Sequence, residues 1–232
     1  MKEYTYTKNS TVDGSWAIIV LPEIFGLNGF IRNTVDSLAA QHGVLVKAID
    51  HFYPFTKQVR TYDYIADREA AHSDMSKVTG PEFMEFFSKE LNTIQKDYPS
   101  IKTFAVVGYC FGGRLAFLTG IDMRVTKIIS YYGSRPHIVF YTGKSALEAL
   151  VQTRAHDVTL SVLAFYGGKD ESIPESDREQ TKKALADALI PYREAVYLNA
   201  GHAFCNSERA DRFDSLACRS SLEKLNSFLK TA

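Results

Sequence analysis

Val106-Val107-Gly108-Tyr109-Cys110-Phe111-Gly112-Gly113 runs from an apolar, β-branched stretch into G-x-C-x-G-G and then into residues that suit a helix. This is the form of a nucleophile elbow, in which the central residue is held in a strained turn between a strand and a helix. Small residues two positions either side, Gly108 and Gly112, let the two backbones pass closely. The side chain of Cys110 then projects at the carboxyl end of a sheet, near the positive end of a helix dipole, which favours thiolate over thiol. Cys110 is thus a candidate nucleophile. The alternative reading makes it a small core residue, with the glycines serving helix packing.

Outward from this stretch the same pattern recurs. Trp16 to Leu21 reads as a strand buried on both faces, Phe30 to Gln41 as a helix that Gly43 closes, and Val44 to Ile49 as the next strand. Phe104 to Gly108 leads into a helix from about Gly113 to Leu118 and a strand over Lys127 to Tyr132. Leu160 to Tyr166, a helix over Glu175 to Leu189, the strand Glu194 to Leu198 and a helix within Arg212 to Leu229 complete the series. Such alternation predicts an α/β chain with a mostly parallel central sheet and helices on both faces. Pro81 to Asp97 reads as a further helix, whereas Tyr53 to Gly80 takes no assignment and suits a cap or covering loop. Gly133 to Asp157 interrupts the alternation, either leaning over a pocket or forming a plain solvated connection. No linker or repeat divides the chain, so residues 1–232 are read as one domain.

A nucleophile needs a base, and His202 stands just beyond the strand that ends near Leu198. Asp170 closes Phe165-Tyr166-Gly167-Gly168-Lys169-Asp170 at the end of another strand and can orient the imidazole. The chain order nucleophile, acid, histidine is that of the α/β hydrolases. Each residue alone has an ordinary reading, a surface histidine or a turn aspartate; their joint order is what points to chemistry. The oxyanion of acyl transfer needs two preorganised donors, the amide after the nucleophile and one from a loop after an earlier strand, which selects the backbone N–H groups of Phe111 and Ile24.

The sequence resembles the dienelactone hydrolase family, a cysteine-nucleophile branch of the α/β hydrolases. The likeness is carried by Leu21-Pro22-Glu23-Ile24-Phe25-Gly26-Leu27-Asn28, Gly108 to Gly113, Tyr131-Tyr132-Gly133, Asp170 with Ile173-Pro174, and Ala200-Gly201-His202-Ala203-Phe204. It implies an α/β-hydrolase fold, a triad of Cys110, His202 and Asp170, and Glu23 beside the resting thiol as a gate that substrate displaces. It also implies hydrolysis of a small ester or lactone through a thioester on Cys110. The chain departs from the family at Asn206, where enzymes acting on anionic dienelactone carry an arginine. A neutral amide there predicts that neutral esters or lactones are handled at least as well as matched acids. Arg135, His137 and Arg209 are the side chains placed to compensate, and Arg135 and Asn206 are the substrate-binding candidates; Arg60 and Arg68 take no firm correspondence.

Composition bounds the partners. The chain has 232 residues, 45% hydrophobic and 23% charged, with Lys plus Arg and Asp plus Glu both at 27. Zero net charge without like-charge blocks argues against capture by nucleic acid or an anionic membrane. The apolar runs are far shorter than the roughly 18–20 residues that span a bilayer, and the polar N-terminus lacks a secretory apolar stretch. Three cysteines without metal-type spacing suit a reducing compartment better than a disulfide scaffold, with Cys205 able to approach the pocket and Cys218 in the core. The expectation is a cytoplasmic enzyme without metal or organic cofactor. The competing readings are a non-catalytic protein of the same fold that binds a small molecule or partner, and a cysteine thioesterase or peptidase on that scaffold.

Overall fold

A computed structural model of the chain describes residues 4–9, 14–53, 55–56, 60–62 and 65–230. The stretch before the elbow is the strand β4 (Thr103–Tyr109), flanked by β2 (Trp16–Leu21) on one side and β5 (Val125–Tyr131) on the other, both parallel to it. β3 (Leu45–Ile49), β8 (Ser161–Gly167) and β9 (Tyr192–Tyr197) extend the parallel sheet, and β1 (Thr5–Lys8) closes one edge antiparallel, giving the order β1-β3-β2-β4-β5-β8-β9.

Side chains of a strand alternate between faces, and here the alternation divides the core in two. Ala17, Ile19 and Leu21 join one buried cluster with the helices α3 (Gly80–Asp97), α4 (Phe111–Thr119) and α5 (Ala146–Arg154). Ile18 and Val20 join the other, with α1 (Gly29–His42) and α7 (Ser215–Lys230). Each fully buried Ile, Val or Leu contributes about 1.5–3 kcal/mol of transfer free energy, so a continuous apolar strand such as β2 holds helices on both sides. Asn28 caps α1 by accepting from the Ile31 N–H, and Gly43 closes it in a left-handed turn. Among the described residues no helix is long and apolar enough to cross a membrane.

Several boundaries differ from those read in the sequence. The helix after the elbow begins at Phe111, directly after Cys110. The edge strand β9 starts at Tyr192, paired with Val162, and leaves Leu198 outside and exposed. The stretch 53–80 contains a helix, α2 (Ile65–Lys77), and 133–157 contains a small hairpin, β6 (Val139–Tyr141) with β7 (Lys144–Ser145), followed by α5. A capping box between Ser145 and Glu148 starts α5, which packs against α4. This segment is therefore core as well as connection. The last helix is α7; α6 (Glu175–Asp187) ends two residues before the expected Leu189.

The cysteine reading is corrected. Cys205 and Cys218 are joined as a disulfide, because the turn after His202 folds back onto the first turn of α7 and brings their Cα atoms to 4.6 Å. Cys205 is buried and does not line the cavity around Cys110, and Cys110 is the free cysteine. Peptide mapping without reductant should recover a linked Cys205–Cys218 pair and leave a single thiol titratable after denaturation. Three titratable thiols would contradict the pairing.

Candidate active site

The strand order reverses between β2 and β4, since the chain continues from β2 outward to β3 and later from β4 outward to β5. In open α/β sheets ligands bind beyond the carboxyl ends of strands at such a switch point. Leu21 of β2 pairs with Gly108 of β4, so Glu23 and Ile24 emerge beside Cys110. Cys110 adopts φ 54° and ψ −116°, its N–H donating to the Tyr131 carbonyl at 2.9 Å and its carbonyl accepting from the Arg114 N–H at 3.2 Å. The turn exists because no Cβ intervenes: one on Gly108 would lie 2.1 Å from the Gly112 carbonyl oxygen, and one on Gly112 would lie 2.4 Å from that of Leu21.

Asp170 leaves β8 and His202 follows β9, neighbouring parallel strands. The Asp170 Oδ2 to His202 Nδ1 distance is 2.7 Å. Asp170 is 5% exposed, and its other oxygen, Oδ1, accepts from the Ser172 N–H at 3.0 Å and from the Ser172 hydroxyl. Burial opposes ionisation of Asp170, but the bond to and charge of His202, with the Ser172 donors, hold the carboxyl below its ordinary value. Burial likewise opposes the charged form of His202. The negative charge of Cys110 and the hydrogen bonds that the ring donates to Asp170 and to Cys110 outweigh it and push His202 from 6.5 up to about 10.

Glu23 is 3% exposed, and burial raises its pKa. Its Oε2 accepts from the Tyr62 hydroxyl at 3.0 Å and from Asn206 Nδ2 at 2.8 Å, while Oε1 is buried without a partner. No hydrogen bond joins Glu23 to Cys110 among the described residues, so the carboxylate rests on Tyr62 and Asn206. Asn206 is fully buried and is not among the residues that line the cavity. Its Nδ2 also donates to the Tyr62 oxygen at 2.7 Å. Tyr62 was not legible in the sequence, since it belongs to the unassigned stretch 53–80.

These groups face a cavity of about 620 Å³, also lined by Ile24, Phe111 and, from α2, His72 and Met75. Among the described residues the backbone N–H groups of Ile24 and Phe111 donate to no protein acceptor. Six cations line the cavity: Arg68, Arg114, Arg135, Lys169, Arg209 and Arg212. The lining carboxylates are Glu23, Asp170 and Glu171. His137 lies 3.9 Å from Asp177 and does not line the cavity. Among the described residues no group of three or more His, Cys, Asp or Glu side chains could hold a metal ion.

The family model described as "Dienelactone hydrolase family" matches residues 1–232. The chain belongs to the dienelactone hydrolase family. A carboxymethylenebutenolidase of Pseudomonas putida is 26% identical over 215 residues, covering 90% of this chain and 83% of that protein. One from Rhodococcus opacus is 25% identical over 204 residues, 87% and 74% of the two chains. A candidate carboxymethylenebutenolidase of Yersinia pestis is 28% identical over 189 residues; the alignment covers 81% of this chain and 67% of that protein. Among solved structures, a candidate dienelactone hydrolase from Klebsiella pneumoniae superposes with TM-score 0.82 over 98% of this chain and 92% of its own, at 23% identity. The fold is that of the α/β hydrolases, and family membership makes the protein a hydrolase of the ester and lactone class.

The folded pKa of His202 lies above its ordinary value, so stability from the charged ring is complete below about pH 6.5 and is lost as pH rises through about 10. Histidine NMR should find His202 still an imidazolium at pH 8. In Cys110→Ser its titration should move down toward 6.5, because the thiolate charge is the largest contribution raising it. A wild-type midpoint already near 6.5 would contradict the ion pair.

Proposed function

We propose that the protein hydrolyses a small ester or lactone through a thioester on Cys110, with His202 and Asp170 completing a triad and no metal or organic cofactor required. The observation that carries this reading is the convergence of an elbow cysteine and an aspartate-bonded histidine on one cavity. In the reacting form the thiolate of Cys110 faces the imidazolium of His202. The thiolate attacks the acyl carbon, a C–S bond forms, and the carbonyl electrons move onto oxygen. The backbone N–H groups of Ile24 and Phe111 bind that oxyanion. Collapse breaks the C–O bond, and the His202 Nε2 proton goes to the departing alkoxide, which in a lactone remains tethered to the acyl group. Water then attacks the thioester as His202 takes its proton; the acid is released and Cys110 regenerated.

Asp170 holds Nδ1 as the donor toward itself, which presents Nε2 to the reacting atoms. Glu23, fixed by Tyr62 and Asn206, stands on the cavity wall with its pKa raised by burial, and among the described residues it makes no hydrogen bond to Cys110.

Kinetics test the unit. Cys110→Ala should remove turnover while the unfolding midpoint stays near that of wild type. His202→Ala and Asp170→Asn should each lower kcat/KM by about 10³-fold or more, and the double variant should lose far less than the product of the single losses. Multiplicative losses, or turnover surviving Cys110→Ala, would contradict the mechanism.

A further inference from the structure

Gly113 of α4 and Gly133, just past β5, are in backbone contact: a Cβ on Gly113 would lie 2.8 Å from the Gly133 Cα, and one on Gly133 would lie 2.6 Å from the Gly113 carbonyl carbon. This close approach lays the segment 133–136 against the first turn of α4. Arg114, four residues after Cys110 on that helix, donates from Nε to the Ser134 carbonyl at 2.8 Å. Its guanidinium carbon stands 5.3 Å from the Phe111 ring centroid. The anchored stem leaves the two terminal nitrogens of Arg114 for the cavity that the residue lines.

The next residue after Ser134 is Arg135, also on the cavity wall. It has φ 54° and precedes Pro136. A positive φ is uncommon outside glycine, and a following proline further restricts the backbone. Strain of this kind persists only where the surroundings fix it, and it gathers at ligand clamps. Here the Ile138 N–H donates to the Arg135 carbonyl at 3.2 Å and the Leu147 N–H to the Pro136 carbonyl at 2.9 Å, which tie the turn to the hairpin and to α5.

Both arginines therefore line the cavity that Cys110 lines, and they are joined through Ser134, whose carbonyl holds Arg114 and which Arg135 follows in the chain. Burial, and then the like charge of Arg135, push Arg114 below its ordinary pKa, while the negative charge of Cys110 opposes them. Among the described residues neither arginine pairs with a carboxylate. Arg68 and Lys169, also on the cavity wall, likewise show no carboxylate partner among the described residues, whereas four other cavity charges have partners. Arg209 and Arg212 reach Asp211, and Asp170 and Glu23 are bonded to His202 and to Tyr62 with Asn206. Adjacent unneutralised cations repel unless an anion lies between them, and guanidinium forks match the oxygens of carboxylate and phosphate.

We infer that Arg114 and Arg135 form an oxyanion-binding subsite for the acidic group of the substrate, on the α4 side of the cavity, and thereby set a preference for anionic esters or lactones. This rests on the reading of Cys110 as nucleophile. It reverses the expectation drawn from Asn206, because the lost arginine in the final loop is replaced by a pair on another wall. The acidic group lies close to the acyl carbon that Cys110 attacks, since Arg114 is one helical turn from the thiol.

Two alkylating reagents that differ in charge test this without knowing the substrate. Iodoacetate and iodoacetamide both react by thiolate attack on carbon with loss of iodide, and iodoacetate alone carries a carboxylate. The ratio of their second-order rates at Cys110, followed by peptide mass spectrometry, should exceed the ratio for glutathione at the same pH by about tenfold or more. Arg114→Gln and Arg135→Gln should each lower the ratio several-fold, more so for Arg114, the less exposed of the two. Lys183→Gln, a lysine paired with Asp187 outside the cavity, controls for net charge and should leave it unchanged. Weaker iodoacetate labelling with added inorganic phosphate than with acetate identifies a phosphate ester as the better ligand, and the reverse a carboxylate. A ratio equal to that of glutathione, or one indifferent to both arginine substitutions, overturns the subsite. Cys110 left unlabelled by both reagents sinks the nucleophile reading instead. The subsite is then judged by thermal unfolding: phosphate should raise Tm above sodium chloride at equal ionic strength in wild type and not in Arg114→Gln, and equal Tm values would overturn it.

Discussion

The close passage of backbone past backbone at Gly108 and Gly112 is the constraint on which the site depends. With 2.1 Å to the Gly112 oxygen and 2.4 Å to the Leu21 oxygen, any side chain at either position would force β2, β4 and α4 apart. The space between them is what allows Cys110 its left-handed turn and lifts its sulfur to the carboxyl edge of the sheet. A second contact of the same kind, Gly113 against Gly133, seats the arginine-bearing turn beside the same helix. Both contacts convert chain geometry into electrostatics, since they bring the thiol and two guanidinium-bearing residues to the wall of one cavity.

Charge in the cavity follows from which groups find partners. Asp170 is satisfied by His202 and Ser172 and acts through the imidazole. Glu23 is satisfied on one oxygen by Tyr62 and Asn206, so that the residue standing at the family's arginine position is bonded to this carboxyl group. In a low-dielectric cavity the remaining cations are attractive to an anion and to the developing oxyanion alike.

The elbow, the order of Cys110, Asp170 and His202, and the parallel sheet were legible because buried parallel strands are continuous apolar runs and the elbow has a fixed spacing. What was not legible is instructive in each case. Helix α2 is held partly by Asp74, buried and bonded to Arg60 at 2.9 Å and to Lys77, so its inner face does not read as apolar. Tyr62 precedes that helix and acquires its role only when the segment folds over Glu23. The pairing of Cys205 with Cys218 needs the turn between His202 and α7, which no periodicity reports. Arg114 was in plain view four residues past Cys110, and helical spacing alone could have placed it beside the thiol. Its anchor at Ser134, by contrast, depends on the glycine contact.

The central claim is that the acyl group passes through sulfur. Incubating the protein with an activated ester such as p-nitrophenyl acetate, quenching in acid and measuring peptide masses tests it directly. The account predicts an acetyl increment on the peptide containing Cys110, lost on treatment with neutral hydroxylamine and absent in Cys110→Ala. Turnover of the ester with the increment on Ser172, or on any residue other than Cys110, would contradict it.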